Sequence, residues 1–142
     1  MRAGEGVTSV AILRGSCLCG AVGYQVDDAF HAAFNCHCSR CRRATGAAFK
    51  PMAAIAFDKI TLTSEAVSLL IYGTPPGSHD IHCRHCGSFL YSFIAENGNG
   101  HVAMGTLIDK PSIRPMFHMF VGSKAPWHEI TDDLPQFEAF PS

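Results

Sequence analysis

Apolar residues occur in many short runs along the chain, separated by glycine, proline, asparagine and aspartate. The alternation is clearest over residues 21–26, where Val22, Tyr24 and Val26 would share one face of a strand. No stretch keeps the 3.6-residue period of a long helix. The pattern therefore predicts an all-β fold of many short strands. Further runs of strand length cover residues 9–14, 30–35, 51–57, 60–63, 67–72, 80–82, 89–94, 101–107 and 116–121.

The chain of 142 residues has the length of one domain, so we expect a single domain over residues 1–142. Within it, residues 1–8 and 130–142 are expected to be irregular termini. One short helical turn is predicted at residues 39–45, with Ser39 as its N-cap and Gly46 as its end.

Composition narrows the class of protein. Hydrophobic residues make up 47% of the chain and charged residues 16%, which is typical of globular and not of disordered proteins. The formal net charge of −1 gives no broad basic surface, so we expect no nucleic-acid partner. No apolar run approaches the roughly 18 residues of a membrane span or the core of a signal peptide. We therefore expect a cytoplasmic protein with no membrane partner.

Cysteine is the residue type that points to chemistry, with seven in the chain. An odd number fits poorly with a closed disulfide set, and a reducing compartment favours metal binding over disulfides. The sequence places them in three groups: Cys17 and Cys19 in a predicted hairpin turn, Cys36, Cys38 and Cys41 together, and Cys83 and Cys86 in a second turn.

The strongest local signal is Cys83-x-x-Cys86 followed by glycine, because such a turn can direct two thiols to one ion. A structural zinc ion needs four ligands, and Cys17-x-Cys19, which is also followed by glycine, is the best partner pair. Together they predict a structural zinc site that links distant parts of the chain. The alternative is that these cysteines are buried thiols that pack as small hydrophobic residues.

The remaining cysteines, Cys36, Cys38 and Cys41, could hold a second, catalytic zinc ion with one open position. An incoming thiol could take that position and react as a nucleophile. Alternatives are His37 as a fourth ligand, an iron–sulfur cluster, a redox disulfide between two of the three, and nucleophilic cysteine catalysis without metal.

Three arginines surround this group of cysteines. Arg40, Arg42 and Arg43 could receive substrate carboxylates, and Arg42 and Arg43 are the candidates for substrate binding. The alternative for each is a solvated surface charge. Elsewhere, His118 and Trp127 are expected to be buried in the core, and Lys124 to be exposed.

These motifs resemble the glutathione-dependent formaldehyde-activating (GFA) family, which also includes centromere protein V. The resemblance implies a β-tent fold with two zinc ions per chain. It implies that Cys17, Cys19, Cys83 and Cys86 hold the structural ion and that Cys36, Cys38 and Cys41 hold the catalytic one. The matching segments are residues 15–22, 36–46, 83–88 and 123–127.

The activity that the resemblance implies is a carbon–sulfur lyase reaction, the condensation of formaldehyde with glutathione to S-hydroxymethylglutathione. We therefore expect a zinc-dependent enzyme that adds a small thiol, with glutathione as the candidate, to an aldehyde such as formaldehyde, or catalyses the reverse. The alternatives are a non-catalytic zinc-dependent module that binds a thiol or its adduct, and an interaction protein of the centromere-protein kind. The second zinc ion could be weakly held and completed only by the thiol.

Overall fold

Short β-strands make up most of the chain, as the alternating pattern predicts. The structure, a computed structural model, describes residues 10–141. The described part contains ten strands, one α-helix and four 3-10 turns. The strands and helix are β1 Ile12–Ser16, β2 Gly23–Asp27, β3 Ala32–Cys36, α1 Ser39–Thr45, β4 Lys50–Ala56, β5 Ile60–Leu62, β6 Leu69–Gly73, β7 His79–Cys83, β8 Phe89–Ile94, β9 Asn99–Ala103 and β10 His118–Met119. The predicted irregular segment 1–8 lies outside the described residues, as does Ser9 at the start of the first predicted strand.

The strands form two sheets. The smaller sheet has the order β1-β2-β5, and the larger sheet has the order β10-β3-β4-β9-β8-β7-β6. The described pairings between strands are antiparallel except for the short β10, which pairs parallel to β3. The expectation of a small all-β domain of short, mainly antiparallel strands is confirmed.

The two faces of the larger sheet belong to different apolar clusters. Side chains alternate between the faces of a strand, so neighbouring residues of β4 belong to two separate apolar clusters. Ile55 packs in the main core with residues of the smaller sheet such as Tyr24 and Val26. Met52 and Ala54 face the other way and pack with a second cluster that contains Cys36. The second face is therefore the one that carries the group of three cysteines.

Helix α1 has the predicted bounds but not the predicted cap. Its N-cap is Cys38, whose sulfur accepts a hydrogen bond from the Cys41 backbone N–H at 3.3 Å. Ser39 is instead the first helical residue, so the prediction of Ser39 as N-cap is wrong. Gly46 ends the helix as predicted, in a left-handed conformation with φ 66°.

The C-terminal segment lies beside β10. The backbone N–H of His118 donates to the Pro135 carbonyl at 2.8 Å, and the Phe137 N–H donates to the His118 carbonyl at 2.9 Å. These contacts leave His118 only 1% exposed, so its predicted burial is confirmed.

Two side-chain predictions near the C-terminus are wrong. Trp127 is 71% exposed and does not belong to the core. Lys124 is half-buried because its ammonium donates to the carbonyls of Ala125 and His128. Among the residues described, no helix is long and apolar enough to cross a membrane.

A close contact between β1 and β2 gives a test of this packing. Gly15 lies directly opposite Tyr24, and a Cβ atom added at Gly15 would overlap the Tyr24 ring. We expect Gly15→Ala to lower the free energy of unfolding by about 2–3 kcal/mol, because overpacking displaces a buried aromatic ring. Urea unfolding followed by circular dichroism measures the change.

Gly105→Ala is the matched control, since a Cβ atom there would have no neighbour within 4 Å. Equal stability of the two variants would show that the contact between Gly15 and Tyr24 does not constrain the sheet.

Candidate metal centres and active site

The first cysteine cluster lies where two turns meet. Cys17 and Cys19 come from the turn between β1 and β2, Cys83 is the last residue of β7, and Cys86 lies in the turn between β7 and β8. Their four sulfur atoms all lie within 4.8 Å of one another. The sulfur of Cys19 is 3.7 Å from the sulfurs of both Cys17 and Cys83. The fold thus brings together two pairs that are more than sixty positions apart in sequence.

These distances fit a zinc ion. A Zn–S bond of about 2.3 Å in tetrahedral geometry places neighbouring sulfurs about 3.8 Å apart. Backbone N–H groups also donate to the sulfurs, from Val22 to Cys17 at 3.2 Å and from His85 to Cys83 at 3.3 Å. Hydrogen bonds from Ser88 lower the pKa of the Cys86 thiol to about 5. The local structure therefore favours, at Cys86, the thiolate form that a metal ion requires, whereas the pKa of the Cys19 thiol is raised to about 11.

The second cluster is formed by Cys36, Cys38 and Cys41. Cys36 ends β3, Cys38 caps helix α1 and Cys41 lies in the first turn of that helix. Their sulfurs also lie within 4.8 Å of one another, and all seven cysteines of the chain are free thiols. The Cys36 thiol and burial raise the pKa of the Cys41 thiol well above its usual value. Three such crowded groups can all ionise only if a cation compensates their charge, so this donor set also fits a metal ion.

His37 does not join this cluster. Its Nε2 atom lies 2.8 Å from Nδ1 of His118, whose Nε2 atom lies 3.0 Å from the Asp132 carboxylate. If His118 donates to Asp132, its Nδ1 accepts the hydrogen bond of His37. Burial lowers the pKa of His37 to about 4, so its ring is neutral near pH 7. The histidine pair ties residue 37, between Cys36 and Cys38, to β10, and neither histidine lines the cavity described below.

A cavity of about 990 Å³ opens beside the second cluster and is lined in part by its three cysteines. The floor is a row of directly paired residues on four neighbouring strands: Tyr72, Asp80, Ser92 and His101. The Ser92 hydroxyl donates to the Asp80 carboxylate at 2.7 Å. The thiol groups therefore face a large space with a polar floor, which is typical of a small-molecule site.

Lys50 is the buried charge of this cavity. It is 3% exposed, and its ammonium lies 3.3 Å from the centre of the Phe89 ring. Burial lowers the pKa of Lys50 to about 8. The pKa of His101 is lowered to about 4, mainly by burial and to a smaller extent by the charge of Lys50.

The three arginines near the cysteine cluster have different positions. Arg40 and Arg43 line the cavity, whereas Arg42 is not among its lining residues. The Nε atom of Arg42 donates to the Ser123 carbonyl at 3.2 Å. Arg43 also donates to a carbonyl, that of Ser39 at 3.2 Å. Arg43 is thus the better placed of the two predicted substrate-binding arginines.

Lys50, Asp80 and His101 line the cavity but do not stand out as site residues in the sequence. Asp80 and His101 are each the first residue of a predicted strand, and only strand pairing places them in one row. Lys50 has a weak signal, since it is the only charged residue between Arg43 and Asp58.

The arrangement can be compared with that of known proteins. The sequence model described as "Glutathione-dependent formaldehyde-activating enzyme" matches residues 12–123, a segment that contains both cysteine clusters. The chain belongs to this family. The resemblance read from the motifs is therefore confirmed for the GFA family, while the link to centromere protein V stays a prediction.

Two relatives of the GFA chain illustrate the similarity. A protein of Halomonas elongata that carries the family's name is 29% identical over 136 residues, which cover 84% of this chain and 81% of the relative. A crystal structure of a Rhodobacter sphaeroides protein, a structural genomics target, is similar with a TM-score of 0.57 and 27% identity. That match covers 70% of this chain and 91% of the other chain.

The half-buried His101 predicts how the stability of this GFA protein depends on pH. An unfolded histidine takes up a proton near pH 6.5, whereas the folded protein resists protonation of His101 until about pH 4. Between these values the unfolded state binds more protons, so the free energy of unfolding falls as the pH falls. Between pH 7 and pH 4.5, the free energy of unfolding should fall in both proteins. We expect the fall to be about 2 kcal/mol smaller in His101→Gln than in the wild type.

Urea midpoints at the two pH values measure this difference. Both proteins keep the same cysteine clusters, so protonation of the thiolates contributes to both losses. His31→Gln, which replaces an exposed histidine, is the control. Parallel loss of stability in the wild type and in His101→Gln would contradict the assignment.

Proposed function

We propose that this protein is a zinc-dependent enzyme of the carbon–sulfur lyase type, which adds a small thiol to an aldehyde or catalyses the reverse reaction. Glutathione and formaldehyde are the candidate substrates, because relatives in the family are named for them. The observation that carries the proposal is the three-cysteine cluster at the wall of a large cavity. In the described residues, no histidine, aspartate or glutamate completes this cluster to four ligands.

The two cysteine clusters would have different roles. Cys17, Cys19, Cys83 and Cys86 would hold a structural zinc ion, since four thiolates leave no position for a substrate. Cys36, Cys38 and Cys41 would hold a second zinc ion with an open position towards the cavity. A zinc ion held there would supply a site at which a thiol loses its proton near neutral pH.

The proposed reaction is an addition. A bond forms between the thiol sulfur and the aldehyde carbon, the carbonyl π bond breaks, and the thiol proton ends on the former carbonyl oxygen. For formaldehyde the product is an S-hydroxymethyl thiol, so no oxidant or reductant is needed. The cavity side chains would orient the thiol, and the apolar residues Met52 and Met119 would limit the access of water to the reacting atoms.

The neighbouring residues support this use of the cluster. Cys38 has its sulfur fixed by the Cys41 backbone N–H, so the helix terminus positions two of the three thiols. The contact between His37 and His118 fixes the loop between Cys36 and Cys38, and neither histidine lines the cavity. Arg40 and Arg43, which line the cavity, would bind anionic groups of the substrate. A cytoplasmic location and the absence of a nucleic-acid partner stay predictions from composition.

The Cys38→Ser variant tests the mechanism. We expect it to lose one of two zinc ions, to keep its fold, and to lose more than about 100-fold in the rate of thiol–aldehyde exchange, because removing a ligand has a larger effect than removing a group that only orients one. Exchange spectroscopy with glutathione and formaldehyde measures the rate above the uncatalysed background. The matched control is Ser39→Ala, which alters the adjacent exposed residue.

Unchanged exchange in Cys38→Ser would contradict the mechanism. A wild-type protein that binds glutathione but leaves exchange at the uncatalysed rate would instead identify a binding module without turnover.

Metal content tests the proposed assignment of four cysteines to one zinc site and three to the other. We expect two zinc ions per chain in the protein purified without added thiol, because each cluster has a complete or nearly complete set of soft ligands. A mild chelator should remove the ion of the three-cysteine cluster first and leave the circular dichroism spectrum unchanged. In Cys86→Ser, by contrast, we expect a lower melting temperature, because the structural site ties the two turns together. A single zinc ion that is lost together with the fold would contradict this assignment.

A further inference from the structure

Lys50 occupies an unusual position for a lysine. It is the first residue of β4 and lies directly opposite Cys36 of β3 in the strand register. Its side chain is almost completely buried, at 3% exposure, yet it lines the cavity that also contains the three-cysteine cluster. Lys50 is therefore a buried cation at the thiol end of the candidate active site.

No carboxylate of the described residues forms an ion pair with this cation. The ion pairs among them are Arg14 with Asp109 and His118 with Asp132, and none involves Lys50. The charge of Asp80 acts on Lys50 without an ion pair between them, and the Asp80 carboxylate accepts a hydrogen bond from Ser92. No protein hydrogen bond of the Lys50 ammonium is found in the described part of the chain, and its contact is the face of Phe89 at 3.3 Å.

A buried ammonium without an anion is costly, because the protein replaces its hydration shell incompletely. Contact with an aromatic face compensates only a fraction of that cost. The ammonium has room to meet a partner because the cavity adjoins it. A ligand anion in the cavity would supply the missing charge and hydrogen bonds.

We propose that Lys50 binds a carboxylate of the thiol substrate and makes the site selective for thiols that carry a carboxylate. The inference rests on the proposed function, in which the substrate thiol reaches the cluster of Cys36, Cys38 and Cys41. Lys50 and these cysteines line the same cavity, and the Lys50 ammonium lies over the Phe89 ring of β8. A thiol with its sulfur at the cluster can therefore extend a carboxylate through the cavity to the ammonium, which favours carboxylate-bearing thiols over neutral ones.

A competing role for Lys50 is to neutralise the charge of the three thiolates. This role would affect every thiol substrate equally, because it acts through the cluster and not through the substrate. Selectivity between a carboxylate and its neutral analogue separates the two roles. The comparison needs thiols that differ in charge but hardly in shape.

The experiment measures dissociation constants by calorimetry on the zinc-loaded protein, with two matched pairs of probes. One pair is 3-mercaptopropionate and 3-mercaptopropionamide, and the other is mercaptoacetate and 2-mercaptoacetamide. We expect the wild type to bind each carboxylate at least about tenfold more tightly than its amide, as for a charge-assisted contact. In Lys50→Met this preference should vanish while the affinity for the amides stays unchanged. Lys50→Arg should keep part of the preference, because the charge remains.

Lys59→Met, which removes an exposed lysine outside the cavity, should behave as the wild type. Zinc content is measured for every variant. Equal weakening of carboxylates and amides in Lys50→Met, or a loss of zinc that accounts for the whole effect, would overturn the proposal.

The wild type alone gives a second decisive result if Lys50→Met fails to fold. No preference of the wild type for the carboxylates would overturn the proposal, and a preference that Lys50→Gln abolishes would support it. Rates of thiol–aldehyde exchange are measured separately. A Lys50-dependent preference in binding without any rate enhancement would refute the proposed catalysis and leave this inference standing.

Discussion

Repulsion between neighbouring thiolates is the main physical constraint at both cysteine clusters. Ionised sulfurs repel one another, and burial adds a cost to each negative charge, as the raised pKa of Cys41 beside Cys36 shows. Hydrogen bonds from the backbone to the sulfurs of Cys17, Cys38 and Cys83 reduce this cost but leave most of the charge. A bound cation would compensate the remaining charge, so both clusters have the donor set of a metal centre.

The two sheets determine what each cluster can do. The first cluster joins the turn after β1 to the turn after β7, next to the main core that contains Cys17 and Cys83. The second cluster lies on the opposite face of the larger sheet, where its sulfurs reach a cavity. Because strand side chains alternate between faces, one sheet supports a closed core on one side and an accessible site on the other.

The cavity is lined by both charged and polar side chains. The thiols and Lys50 lie together at one end, and the floor row of Tyr72, Asp80, Ser92 and His101 continues across four strands. In such a space, electrostatic contacts are stronger than in water. In the proposed reaction, selectivity among thiols would therefore depend on residues of β4, β7, β8 and β9 as much as on the cysteines themselves.

Local alternation in the sequence was enough to predict the all-β class. Gly46 gave the end of the helix at residues 39–45, and the closely spaced cysteine motifs gave the family. The sequence did not determine the cap of that helix, where the sulfur of Cys38 takes the place expected for the hydroxyl of Ser39. Nor did it reveal the exposed Trp127. The tertiary structure alone decided that Lys50 faces Cys36 and that Asp80 and His101 share one row. Those neighbours lie far apart in sequence, and only the pairing of strands brings them to one face.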